Sequence, residues 1–398
     1  MVVRPFAALR PNVPDAAKVA SVPYDVVDTA EAKALAEGNP KSFLHVSRPE
    51  IDLAAGTKPD SPEAYAQARR ALDAFVADGT LVRDEEPWFY AYRQTMGSHS
   101  QTGIVATFDT KDYLSGVLKQ HEKTRKDKED DRTRHIEVLG AHTGPAFLAY
   151  RDDRGVDEVV AAACREEPLY DFTADDGVRH TVWRIATGGT CCADELAERF
   201  ALIPAAYIAD GHHRSAAASR YAAAHGFEGE SRYFLAVAFP ASQLRILPYN
   251  RLVHDLNGLS EYEFMSALSE NFVIGEKGER NARMYFNGHW TDISWTPDPG
   301  AGPVASLDVS YLQERLLAPV LGIADPRTSP RISFMGGIRG DAALAAKVDS
   351  GEAAVAFAME PTTVAEMMAI ADAGETMPPK STWFEPKLRS GLFIHPVA

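Results

Sequence analysis

Residues 208–221 read IADGHHRSAAASRY, in which an apolar run stops at Asp210 and an alanine-rich segment begins after one glycine. The apolar run is typical of a buried strand, and the alanine-rich segment is typical of a helix. The free N–H groups and positive dipole end of a helix start attract anions. His212, His213 and Arg214 put cationic side chains at that end, which is unfavourable unless an anion balances them. The pattern favours a phosphate-binding corner between a strand and a helix.

The same corner also has a purely structural interpretation. Asp210 would then cap the helix and Gly211 would ease the turn, as in many proteins where a cap stabilises by about 1 kcal/mol. Metal binding by the two histidines is disfavoured, because neighbouring positions on a helix point roughly 100° apart. We therefore assign no metal ligands to this stretch.

Strands alternate with helices on both sides of the corner, which indicates a mixed α/β (α+β) protein. Residues 61–80 predict a helix with a serine cap, and two apolar runs around Gly97–Ser100 predict a β-hairpin. No linker divides the chain. We expect residues 1–255 to form an α/β portion with the phosphate-binding corner, and residues 256–398 to form a second α/β lobe whose tail packs back on the core. One continuous domain is the alternative.

Composition argues against several classes of partner. With 41 Lys and Arg against 56 Asp and Glu, the formal net charge is −15. Nucleic acids and anionic membranes need a broad basic surface, so neither is an expected partner. Three cysteines, with Cys191 and Cys192 adjacent, do not make a disulfide framework, and no stretch resembles a signal peptide or a membrane span. We expect a cytoplasmic protein with a small-molecule ligand.

A second polar cluster, QHEKT at residues 120–124, opens a highly charged segment. His121 and Glu122 follow a short apolar stretch, and a carboxylate at the end of an ordered element can act as a general base. Arg132, further along, is a candidate phosphate contact. Charge runs are otherwise usual on solvated faces or mobile loops.

Further polar residues are candidates for substrate binding or for support of a site. They are Tyr24 and Asp25 in VPYDVVD, Asn250 and Arg251 in ILPYNRLV, and Lys380 and Lys387 in the tail MPPKSTWFEPKLRSGLFI. The P-loop, the Rossmann glycine motif and the GxSxG elbow do not occur in the sequence. If a nucleotide binds, it binds without a P-loop.

Taken together, these pieces resemble the domain-of-unknown-function 1015 family from end to end. The resemblance rests on RPFAALRP, VPYDVV, SFLHV, HEKT with a later DR, ADGHHR and MPPKSTWFEPKLRSGL. The DGHHR corner with a separate His-Glu pair also resembles the ParB/sulfiredoxin-like group, which includes free-serine kinases. In those kinases a glutamate acts as the base on the serine hydroxyl, and the DGHHR corner contacts nucleotide phosphates.

Carried onto this chain, the resemblance implies a ParB/sulfiredoxin-like core with large insertions and Glu122 as the base. The residues that it implies around the phosphates of ATP or ADP with Mg²⁺ are Asp210, Gly211, His212, His213 and Arg214. Two features depart from those relatives: Asn250 stands where family members often have a histidine, and the stretch between Glu122 and the corner is long.

The resemblance and the residues together predict a kinase that phosphorylates a small hydroxylated metabolite, with L-serine the first candidate. Such a kinase would act in serine metabolism. A nucleotide-binding regulatory module with little or no kinase activity is the alternative. The acceptor, the choice between ATP and ADP and the oligomeric state stay open at this point.

Overall fold

The computed structural model describes residues 1–186 and 192–397. The chain divides into two compact units, Met1–Leu244 with Pro386–Ala398, and Arg245–Glu385. The division expected at residue 255 differs from these bounds, because the strand that precedes it pairs within the sheet of the second unit. Cys164 and Cys192 are free thiols, and Cys191 lies outside the described residues.

The described residues form 13 α-helices and 21 strands. The helices are Ala16–Val19 (α1), Thr29–Ala36 (α2), Leu44–Ser47 (α3), Pro62–Ala77 (α4), Thr110–Leu114 (α5), Lys126–Leu139 (α6), Arg154–Ala163 (α7), Ala193–Leu202 (α8), His212–Ala224 (α9), Glu261–Ser269 (α10), Asp308–Leu312 (α11), Gly340–Asp349 (α12) and Val364–Asp372 (α13). The strands are Val3–Arg4 (β1), Leu9–Pro11 (β2), Leu81–Arg83 (β3), Phe89–Met96 (β4), His99–Asp109 (β5), Leu118–Lys119 (β6), Ala141–His142 (β7), Ala146–Tyr150 (β8), Tyr170–Thr173 (β9), Arg179–Ile185 (β10), Ala206–Asp210 (β11), Tyr233–Pro240 (β12), Ile246–Leu247 (β13), Tyr249–Val253 (β14), Val273–Ile274 (β15), Arg280–Phe286 (β16), His289–Trp295 (β17), Ile332–Gly336 (β18), Val355–Met359 (β19), Trp383–Phe384 (β20) and His395–Pro396 (β21).

The first unit is built around a nine-stranded sheet with the order β6-β11-β8-β12-β5-β4-β10-β9 and with β1 beside β5. β11 runs parallel to β6 and β12 runs parallel to β8, while the other neighbours are antiparallel. β8 and β12 are buried along their whole length, so both faces of the sheet are covered there. The expected hairpin is β4–β5, closed by a short turn in which Met96 pairs with His99. The predicted mixed α/β class is confirmed.

Two helices of the first unit support the corner that follows β11. α9 is buried on most sides, and small residues such as Ala217 and Ala218 let it lie close to its neighbours. α6 packs against it through Ile136, which shares a buried cluster with Ala217 and Tyr221. The charged segment that precedes the corner in sequence is therefore a helix with one apolar side.

The second unit has its own six-stranded antiparallel sheet, in the order β15-β17-β16-β19-β14-β18. Its core includes Leu252, Tyr285 and Leu344. Within the described ranges of the chain, no helix is both long and apolar enough to cross a membrane.

Candidate functional site

A left-handed glycine joins β11 to α9. Gly211 has φ 90° and ψ 29°, and its N–H donates to Asp210 Oδ1 at 2.9 Å. A Cβ at this position would lie 3.0 Å from Arg214 Nε and 3.2 Å from Ala146 Cα. Glycine is thus required both by its dihedral angle and by the close approach of neighbouring atoms.

Gly211→Ala is expected to lower the free energy of unfolding by about 2–3 kcal/mol, because dihedral strain and crowding act together. Gly38→Ala is the matched control, since Gly38 has φ 72° and no atom within 4 Å of a built Cβ. The control should lose only about 1 kcal/mol, from strain alone. Urea unfolding curves of both variants measure the difference, and equal losses would contradict the crowding at Gly211.

Asp210 is the centre of a charge cluster at the start of α9. Its Oδ2 lies 3.5 Å from Arg214 Nη2 and 3.5 Å from Lys387 Nζ. Arg214 also donates to the Pro145 carbonyl oxygen and lies 3.9 Å from Asp25 Oδ2. Burial raises the pKa of Asp210, but Lys387 and Arg214 outweigh burial and hold this pKa well below its usual range. Asp210 is therefore an ionised carboxylate between two cations.

The histidines of the corner are neutral, in contrast to the cationic side chains predicted from the sequence. The ring of His212 meets the ring of His121 edge to face at 4.6 Å, and both side chains are buried. Burial lowers the pKa of His121 to about 4 and that of His212 well below its usual value. His213 accepts the N–H of Arg125 on Nε2 at 3.1 Å, and burial lowers its pKa also. The cations at this helix start are Arg214 and Lys387.

Glu122 lies beside this helix start. Its Oε2 is 4.0 Å from His212 Nδ1, and its side chain is 49% exposed. The sheet explains the proximity, because β6 pairs in parallel with β11 through Leu118 and Ala206. Parallel pairing carries the residues that follow each strand to the same edge. The long stretch between Glu122 and the corner does not separate them in space.

Tyr24, Asp25 and Arg132 are neighbours of the same cluster. The guanidinium carbon of Arg132 lies 3.9 Å from the centroid of the Tyr24 ring, and Arg132 pairs with Asp131 at 2.8 Å. Burial raises the pKa of Tyr24 to about 12, so its phenol keeps its proton at neutral pH. Asp25 approaches Arg214, as given above. The first unit therefore gathers these three predicted residues around Arg214.

A cavity of about 40 Å³ opens next to Arg214. Its lining residues are Tyr24, Ser47, Arg132, His135, Ile136, His142, Thr143, Gly144, Arg214 and Ser390. His135, His142 and Ser47 are not among the site residues predicted from the sequence. A helical signal was present, because His135, Ile136 and Leu139 recur on one side of the charged segment.

Three of the predicted site residues belong to the second unit, where each has contacts of its own. Asn250 Oδ1 accepts the N–H of Met359 at 3.1 Å. Arg251 donates to the Lys380 carbonyl oxygen at 3.2 Å, and burial lowers its pKa to about 10. Lys380 Nζ lies 5.4 Å from the centroid of the Tyr249 ring. Of the two tail lysines, Lys387 is the one that contacts Asp210.

A family described as "Protein of unknown function (DUF1015)" matches residues 3–310. The chain belongs to this family. A search of curated proteins found no match. Within the described ranges, no group of three or more His, Cys, Asp or Glu side chains is arranged to hold a metal ion.

Several solved structures are similar to part of this chain. A free serine kinase in complex with AMP is 14% identical with a TM-score of 0.37, over 72% of this chain and 92% of the kinase. A C-terminally truncated SbnI from Staphylococcus aureus is 14% identical with a TM-score of 0.41, over 74% and 87%. A conserved hypothetical protein from Pyrococcus furiosus is 14% identical with a TM-score of 0.35, over 73% and 94%.

Proposed function

We propose that this chain is a kinase that transfers the terminal phosphoryl group of a nucleotide to the hydroxyl of a small metabolite, with L-serine as the first candidate. The observation that carries the proposal is the 4.0 Å separation of Glu122 Oε2 from His212 Nδ1 at the start of α9. Phosphoryl transfer requires phosphates held in position and a base beside the attacking hydroxyl. Residues suited to both tasks meet at this corner.

The start of α9 is the proposed phosphate-binding part. A helix of 13 residues presents its first N–H groups and a positive dipole end to an anion. Arg214 adds a fork of donors, and Lys387 adds an ammonium group 3.5 Å from Asp210. Mg²⁺ keeps several waters and is commonly held in large part by substrate phosphates, so it would arrive with the nucleotide. ATP or ADP with Mg²⁺ is the proposed donor.

Glu122 is the proposed general base. Its carboxylate takes the proton of the acceptor hydroxyl while that oxygen bonds to the terminal phosphorus. The bond from this phosphorus to the bridging oxygen of the nucleotide breaks, which leaves a phosphorylated metabolite and a nucleotide with one phosphate fewer. His121 and His212 are neutral and lend no positive charge that would weaken the carboxylate as a base.

The direct test incubates the purified chain with Mg²⁺, L-serine and either ATP or ADP, and follows O-phosphoserine by phosphorus NMR. A panel of other hydroxylated amino and carboxylic acids covers the remaining acceptors. Phosphorylated product with one nucleotide and one acceptor supports the proposal. Tight nucleotide binding without any product would point instead to the regulatory module of ParB-like descent.

Arg214→Lys keeps the positive charge but removes the two-pronged donor, so we expect nucleotide affinity to fall about 10- to 100-fold. Arg220→Lys is the matched control on the same helix, because Arg220 lies six residues after Arg214 and pairs with Glu129 and Asp130 of α6. Isothermal titration with ADP measures both variants. Equal ADP affinities in the two variants would show that Arg214 does not bind the nucleotide phosphates.

We also propose that the protein is located in the cytoplasm, because ATP and ADP are available there. The net charge of −15 also argues against nucleic acid as the ligand of this site. A small, locally cationic pocket in an acidic protein suits a small anionic ligand.

A further inference from the structure

The cavity beside Arg214 contains buried polar atoms that the protein itself does not satisfy. Ser47, His135 and His142 line it and are 6%, 4% and 7% exposed. Ser47 Oγ, His135 Nε2 and His142 Nε2 have no hydrogen-bond partner among residues 1–186 and 192–397. Buried polar atoms in folded proteins nearly always have partners in the protein or in ordered water, so three such atoms around one cavity mark a place where water or a polar ligand binds.

The two histidines present acceptors to the cavity. The ring of His135 bonds to the backbone of Val46, and that of His142 bonds to the backbone of Tyr233. Since Nε2 is the nitrogen without a partner in each ring, Nδ1 makes the bond and donates its proton to a carbonyl oxygen. Burial lowers the pKa of each to about 3, and both rings are neutral. Each Nε2 atom therefore carries a lone pair that can accept a hydrogen bond from an ammonium or hydroxyl group.

The same cavity also presents cations. Arg132 lies close enough to His135 for its charge to lower the pKa of that ring further, and Arg214 lines the cavity as well. Guanidinium groups match carboxylates in a bidentate geometry. Asp131 pairs with Arg132 and Asp210 pairs with Arg214, so much of the positive charge of these arginines is already neutralised. The cavity therefore suits a ligand with one negative charge and its own hydrogen-bond donors better than a polyanion.

The size of the cavity limits what can enter. A volume of about 40 Å³ admits more than one water-sized group. The end of a compact molecule with a few heavy atoms fits.

We propose that this cavity is the acceptor subsite, and that it binds a small zwitterion whose carboxylate contacts Arg132 or Arg214 and whose ammonium group donates to His135 and His142. The assignment of the cavity as an acceptor subsite rests on the proposed kinase function. The binding chemistry follows from the cavity itself.

The test uses the full chain and three probes, L-serine, ethanolamine without the carboxylate, and 3-hydroxypropionate without the ammonium group. In isothermal titration we expect L-serine to bind at least tenfold more tightly than either analogue. Ser47→Ala should weaken L-serine binding about tenfold, because the lost hydroxyl belongs to the cavity. It should leave ADP affinity unchanged and the urea midpoint at or above that of the parent, because the hydroxyl has no protein partner.

Ser310→Ala is the matched control. Ser310 is buried like Ser47, at 3% exposure, its Oγ has no partner within the described residues, and it lies outside the cavity lining. L-serine affinity that is equal in the two variants, or no binding of any probe, overturns the cavity proposal. L-serine binding that weakens in Ser47→Ala without phosphorylated product from ATP or ADP supports the cavity and contradicts the kinase. If Ser47→Ala still forms phosphorylated product and its KM for L-serine is unchanged, the kinase is supported and the cavity is not the acceptor subsite.

Discussion

Glu122→Gln is expected to lower the rate of phosphoryl transfer by about 100- to 10,000-fold, the usual contribution of a positioned general base. The amide keeps the shape of the side chain but cannot take the proton of the acceptor hydroxyl. ADP affinity should stay within about twofold, because the proposed phosphate contacts come from α9 and Lys387. The free energy of unfolding should also change little, since the side chain is 49% exposed. Single-turnover kinetics followed by phosphorus NMR separates the chemical step from binding.

Glu137→Gln is the control for this experiment. Glu137 lies on α6, its side chain is 38% exposed, and it pairs with Arg134 at 3.0 Å. This variant should retain full activity. Glu122→Asp, which keeps a carboxylate on a shorter arm, should retain more activity than Glu122→Gln. Unchanged turnover in Glu122→Gln would show that another group is the base.

Acid is expected to unfold the first unit near pH 5, well before the second. Burial lowers the pKa of five of its histidines to between about 3 and 4, and these are His121, His135, His142, His180 and His395. Their ordinary pKa is about 6.5. The unfolded chain therefore binds more protons below about pH 6.5, and the free energy of unfolding falls as the pH falls towards 4.

The size of the effect follows from linkage. Each pH unit below about 6.5 costs on the order of 1 kcal/mol per histidine, so pH 5 costs roughly 2 kcal/mol for each of the five. The sum, about 10 kcal/mol, lies within the roughly 5–15 kcal/mol of stability that a whole domain has. Carboxylates with lowered pKa values, such as Asp84 and Asp210, add to the loss only at lower pH.

The second unit is an internal control for acid unfolding. Its histidines are His254 and His289, and both are exposed. Hydrogen exchange with mass spectrometry, read separately for peptides of each unit between pH 7.5 and 4, measures the two stabilities. Loss of protection in the first unit at a higher pH than in the second is the expected result. Parallel loss in both units, or none above pH 4.5, would contradict the buried neutral state of these histidines.

Local sequence determined much of the corner. An apolar run, a glycine and an alanine-rich segment suffice to predict a strand, a turn and a helix, because hydrophobic pattern and backbone freedom act over a few residues. Gly211 indeed has a left-handed φ of 90°, and α9 begins at His212. Alternating strands and helices likewise indicated the mixed α/β class.

Only the tertiary structure decided the charge states of these residues and which other residues contact them. An exposed histidine has a pKa of about 6.5, but burial against His121 lowers the pKa of His212 well below that value. The pairing of β6 with β11 brings Glu122 to the corner, and the tail brings Lys387. Burial depends on the whole packed unit, and these contacts join residues that are far apart in the chain. A local pattern therefore specifies where the helix begins, while only the folded chain specifies which groups around it are charged.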